Sequence, residues 1–200
     1  MMRFLPWLCV FLFFVAGCKE TPNMPKPRAY PRVEYPEKKY IQYESPGCPF
    51  TFGYPDYAEI KNREEACWFD LFMPVFKARI HCSYLPIKNP EEFDDFVQDA
   101  FAIADRINGR ANYMEDSRIQ NENGISGVLL EWSGPAASPV HFFLTDTTHH
   151  FFKAALYFDA KVQPDSLAPI VEFIKEDIDF MISTFRWTPY PLKGGAQQPW

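Results

Sequence analysis

The stretch NPEEFDDFVQDAFAIADRING, Asn89 to Gly109, decides the fold. Asn89 suits a helix N-cap, Pro90 the first helical position, and Glu92 stands three residues after the cap. Phe93, Phe96, Val97, Ala100, Ile103, Ala104 and Ile107 recur at helical spacing, and Asn108-Gly109 supplies a left-handed stop. Glu91, Glu92, Asp94 and Asp95 crowd the positive end of the helix dipole, which accounts for them without a catalytic role.

On either side of this helix the apolar period falls to two. Upstream, Cys48, Phe50, Phe52 and Tyr54 alternate, so 48–54 reads as a strand, as do 67–73 and 76–84. Downstream, Asn123-Gly124 is a hairpin turn joining strands at about 112–121 and 125–133. Strands at 138–145 and 150–158 follow. A second helix, about 166–185, carries the stripe Ile170, Phe173, Ile174, Ile178, Met181, Ile182 and Phe185. Strands, helix, four strands, helix is an α+β order: an antiparallel sheet burying the apolar faces of two helices. The order is similar to that of the PsbP/Mog1-like sandwich. With one helix on each face of the sheet, Phe143, Phe151 and Tyr157 belong to the core. With both helices on one face, they form an exposed patch. Two-sided cover is the expectation.

This single domain spans 46–188, with a flexible tail at 189–200 that contains Gly194-Gly195. Ahead of it, Arg3 precedes an apolar run from Phe4 to Ala16, too short to span a bilayer, which takes about 20 apolar residues. The run has the form of a secretory signal. It ends Val15-Ala16-Gly17-Cys18, which resembles the bacterial lipobox. Residues 1–17 are therefore expected to be a lipoprotein signal peptide, with Cys18 the lipid-bearing first residue of the mature chain. Several acyl chains on one residue anchor stably where one chain does not.

Residues 18–45 read as a tether. Pro22, Pro25, Pro27, Pro31 and Pro36 favour extended chain, at ~3.1 Å per residue a reach on the order of 80 Å. Tyr30, Tyr35 and Tyr40 recur among Arg28, Arg32, Lys38 and Lys39. They are candidate partner-binding residues, since plain linkers are poor in aromatics. The alternative is a solvated linker whose tyrosines rest loosely on the domain.

A formal charge of −6 with no basic face excludes a nucleic-acid binder. Export places Cys48, Cys67 and Cys82 where disulfides form. Cys48–Cys67 with Cys82 a free core thiol is the expected arrangement, and Cys67–Cys82 across a hairpin is the rival. No C-x-x-C pair or H-E-x-x-H occurs, so no metal is expected. No phosphate loop or nucleophile elbow occurs either, and Ser126 lacks the glycine that an elbow needs at Val128. Glu131 is expected to face water, and Asp177 and Asp179 to sit on a solvated helix surface. The chain is not expected to be an enzyme or to hold a cofactor. Clustering of His81, His141 or His150 with Glu131 in a cleft would revive a hydrolase.

Several long segments in order resemble the gliding motility lipoprotein GldD family. They are Pro25 to Arg32 with Glu34 to Tyr40, Cys48-Pro49-Phe50-Thr51-Phe52, Cys67-Trp68, His141 to Phe158, and Asp165 to Ile178. The resemblance implies a membrane-anchored accessory lipoprotein that supports gliding motility and the type IX secretion machinery through protein–protein contacts. The membrane protein GldE is the implied partner. It assigns no catalytic residues. It carries the lipid to Cys18, and its Cys-Pro-Phe and Cys-Trp positions to Cys48 and Cys67, in support of that bridge. Lys19-Glu20 resembles part of the surface-export signal of gliding bacteria, but Thr21 breaks the acidic run, so the periplasmic side of the envelope is expected. The alternative function is a small-ligand or lipid-binding sandwich, with a pocket between sheet and helices.

Overall fold

The computed structural model describes residues 34–108, 113–134, 138–159 and 164–189. Cys18 and Tyr30, the signal run and nearly all of the expected tail lie outside the described residues. Twelve elements follow in order: β1 Tyr40–Tyr43, β2 Phe50–Pro55, β3 Glu59–Asn62, β4 Phe69–Met73, β5 Ala78–Pro86, α1 Pro90–Asn108, β6 Tyr113–Gln120, β7 Ser126–Ser133, β8 Val140–Thr145, β9 His150–Phe158, α2 Pro164–Thr184 and β10 Arg186–Trp187. A 3-10 turn, Pro74–Phe76, joins β4 to β5.

The fold is α+β, as the order of elements predicts. Seven antiparallel strands form the large sheet in the order β3-β4-β5-β9-β8-β7-β6. β5 and β9 join the halves from either side of α1, in a register running from Ala78 opposite Phe158 to Pro86 opposite His150. A small sheet, β1-β2-β10, lies over one face of the large one with α2. Between these layers is a core of rings in which Phe50, Phe52, Phe69, Phe152 and Phe185 are each no more than 1% exposed. Tyr43 stacks on Phe52 and Phe69 at 4.8 and 4.7 Å.

α1 covers the opposite face, so each face has its helix. Phe93, Phe96, Val97 and Ala100 pack on Phe143 and Phe151, which are buried. Local chemistry sets this helix in place. Asn89 Oδ1 accepts from the Glu92 N–H at 2.9 Å, and the Glu92 carboxylate accepts from the Lys88 N–H at 2.9 Å. The far end of α2 is closed by another segment. In the β6–β7 turn, Gly124 sits at φ 74°. There the Asn121 amide donates to the carbonyls of Ile182 and Phe185, and the Asn123 amide donates to Phe185, relieving the unsatisfied carbonyls of a helix end.

Three strands depart from the sequence reading. β1, β3 and β10 were not expected, and β1 falls inside the stretch read as tether. Its register with β2, from Tyr40 opposite Pro55 to Tyr43 opposite Phe52, makes residues 40–43 part of the folded body.

Candidate functional site

α1 covers only one end of its face of the sheet and leaves a groove beside it. Register builds the floor. His81 on β5, Ala155 on β9 and His141 on β8 stand side by side in one row. Ser83, Lys153 and Phe143 form the next row. Two imidazoles thus flank the small side chain of Ala155, and Tyr157 closes the far side with its ring 4.8 Å from His81 and 6.2 Å from His141. Ala100 and Ile103 of α1 line the near side, and the cavity holds about 200 Å³.

Charge is arranged unevenly around it. Burial alone would raise the Asp70 carboxyl, but hydrogen bonds from Arg63 and His81 overcome this and hold it below the ordinary carboxylate range. Arg63 Nε lies 2.9 Å from Asp70 Oδ1, and His81 Nδ1 lies 2.6 Å from the same oxygen. Arg79 Nη2 pairs with Asp159 Oδ2 at 2.6 Å. Lys153, half-buried, has no carboxylate within ion-pair distance among the described residues.

His141 is the quieter of the two imidazoles. Burial pushes it down to about 4, so it is neutral near pH 7. Its Nε2 is 2.7 Å from Ser138 Oγ, and that hydroxyl donates to the Leu156 carbonyl at 2.5 Å. Since the serine proton goes to the carbonyl, Nε2 carries the histidine proton and donates to Ser138. A serine held this way is not activated by its histidine.

A second constellation lies on the other face, around Asp177 of α2. The sequence reading placed this carboxylate on a solvated surface, yet it is 2% exposed. Three donors from the start of the domain converge on it: Lys38 Nζ at 2.9 Å, the Tyr40 hydroxyl at 2.9 Å, and the Tyr57 hydroxyl. Lys38 also donates to the Phe173 carbonyl at 2.6 Å and lies 4.1 Å from the centre of the Phe173 ring. Burial, and then hydrogen bonding to a negative charge, push both tyrosine hydroxyls well above their ordinary range, so they remain donors.

The tyrosines singled out from sequence divide accordingly. Tyr40 faces the domain, with its ring stacked 3.7 Å from that of Phe180. Tyr35 rests on Phe173 and Phe76 but keeps 43% of its surface exposed. Beside Phe76 in the chain, Val75 is 56% exposed. Together they make an apolar patch where the described chain begins. Cys48 and Cys67 are joined in a disulfide with Cα atoms 5.5 Å apart, and Cys82 is free and buried.

The histidine cluster weighed from sequence forms only in part. His81 and His141 share the groove. His150 lies elsewhere, 2.8 Å from the Tyr84 hydroxyl and stacked on Trp187. Glu131, expected in water, instead crosses to α2, where its carboxylate meets Lys175 at 2.7 Å. Among the described residues no three His, Cys, Asp or Glu side chains gather as metal ligands, and no helix is long and apolar enough to cross a membrane.

A family model described as gliding motility lipoprotein GldD matches residues 20–187. No curated protein matches the chain. Among solved structures, the chain is similar to the solution structure of cyanobacterial PsbP (CyanoP) from Synechocystis sp. PCC 6803. The identity is 12%, the match covers 76% of this chain and 94% of that one, and the TM-score is 0.43.

Proposed function

We propose that this chain, which belongs to the gliding motility lipoprotein GldD family, works as a non-enzymatic accessory lipoprotein. Lipid on Cys18 would hold it at the cell envelope, on the periplasmic side. It would act by contact with a membrane partner, GldE by family resemblance, and so support gliding and type IX secretion. Family membership over 20–187 carries this reading. Two features of the domain support it. The Ser138–His141 pair has its hydroxyl turned to a carbonyl and, among the described residues, no carboxylate behind the ring, which is poor provision for catalysis. Tyr35 and Val75 are exposed apolar residues near the start of the described chain, a patch that suits a protein contact. A protein tethered on the same membrane as its partner meets it at high effective concentration, so a modest patch suffices.

Crosslinking of the tagged full-length protein in intact membranes tests this. GldE is expected among the recovered proteins, in reduced yield for the Tyr35→Ser, Val75→Ser double variant. Recovery without GldE overturns the partner, and undiminished recovery by the variant overturns the patch. Mass spectrometry that finds an unmodified thiol at Cys18 overturns the anchor.

A further inference from the structure

We infer that the groove between α1 and the sheet is a binding site for a small organic monoanion, a carboxylate with a compact apolar body, held by Lys153 and Ser83. The partner reading neither assigns this site nor supports it, and the inference does not depend on that reading.

Lys153 stands on β9, between β5 and β8. A lysine is almost never fully buried without a charge partner, and Lys153 is half-buried in the middle of an inner strand. The neighbouring cations do have one: Arg63 has Asp70 and Arg79 has Asp159. Glu131, two strands away on β7, points to the opposite face, where Lys175 takes it. Lys153 instead stands in register with the hydroxyl of Ser83 and opens onto the cavity. Among the described residues neither side chain has a protein hydrogen-bond partner, so a cation and a neutral donor stand together, both free to meet an anion.

The size and charge of the ligand follow. A volume of about 200 Å³ is on the order of seven waters, room for a ring or short chain and one acidic group. Among the described residues, both arginines are matched by aspartates and His141 is neutral, which leaves Lys153 as the groove cation with no carboxylate beside it. One lysine supplies a point charge rather than a bidentate fork, and no helix N-terminus points in, so a phosphate dianion would be under-matched. Leu130, Phe143, Ala100 and Ile103 give the rest of the lining an apolar character that suits a hydrocarbon body. Ala155 keeps the floor open, since a larger side chain in the row between His81 and His141 would fill the space.

The test uses full-length protein in lipid nanodiscs and the imidazole NMR signals of its four histidines. The probes are benzoate, the neutral benzyl alcohol and inorganic phosphate. Benzoate is expected to move the signals of His81 and His141 saturably and to leave those of His149 and His150 in place. Lys153→Met should weaken benzoate about tenfold or more, as loss of a charged hydrogen bond does, with an unchanged melting temperature. Ala155→Leu should abolish the response. If Ala155→Leu does not fold, Lys153→Met decides alone. The inference is overturned by equal binding of benzyl alcohol, by a response to phosphate in place of benzoate, by unchanged affinity in Lys153→Met, or by no response. Recovery of GldE is measured separately, so the two readings can fail independently.

Discussion

Lys38 Nζ and Asp177 Oδ1 stand 2.9 Å apart although 139 positions separate them in the chain. The contact fastens the segment before β1 to the helix that ends the fold. Asp177→Ala would leave Lys38, Tyr40 and Tyr57 without their shared acceptor. The expected loss is about 2–4 kcal/mol, since hydrogen bonds to a buried charge are among the stronger ones. Denaturant midpoints measure it. Limited proteolysis should open residues 34–39 in the variant and spare them in the parent. Equal cleavage of both would refute the latch.

The Cys48–Cys67 bridge closes a separation of 19 residues. Chain entropy gives such a loop about 3 kcal/mol of stabilisation. The Cys48→Ser, Cys67→Ser double variant should lose that amount in the same denaturant assay. Cys82, fully enclosed and with its thiol pushed up by burial, should resist alkylation until the protein unfolds. Rapid labelling of Cys82 in the folded protein would contradict its position.

His141 makes stability depend on pH in a defined window. Its folded pKa, about 4, lies below the ordinary 6.5. As pH falls from about 6.5, the unfolded chain takes up a proton that the folded chain refuses. Stability is therefore full above that pH and drops by about 1.4 kcal/mol per unit until about pH 4. His150, also lowered by burial, acts in the same direction. His141→Gln should have a flatter profile between pH 6.5 and 4.5 in thermal melts. An identical profile would remove His141 as the cause.

Gly127 marks a close approach of two strands. A Cβ there would come 2.0 Å from the Phe143 carbonyl oxygen, a backbone atom that cannot step aside. Gly127→Ala should cost about 2–3 kcal/mol by forcing β7 from β8. A neutral melting temperature would show that the strands can part without cost.

Where a segment carried its own signal, the sequence was enough to place it. The 89–109 stretch has cap, stripe and stop, and α1 occupies Pro90–Asn108. Likewise the four strands after it, punctuated by turns such as Asn123-Gly124, fall within two residues of their expected bounds. β3, reading Glu-Ile-Lys-Asn, and the two-residue β10 are too short for any period to register. β1 is drawn into place by partners far along the chain. Asp177 did leave a trace: it sits three positions after Ile174 and four after Phe173, on the apolar stripe, where a carboxylate needs partners. The groove left none. His81 and His141 are neighbours only because β5 and β8 both pair with β9 in one register. Strand order and register of that kind are tertiary facts.

The latch at Asp177 bears on mechanics. Any pull delivered through residues 34–38 meets side-chain contacts at Tyr35 and Lys38 before it loads the backbone hydrogen bond at Lys39 and the ladder of β1 and β2. Those contacts would yield first and release residues 35–38, a contour length of about 13 Å at ~3.3 Å each, of which the part not already spanned in the fold is gained as extension. A sudden tug is thus absorbed as extension at the edge, and the ring-filled interior feels tension only after that cushion is gone.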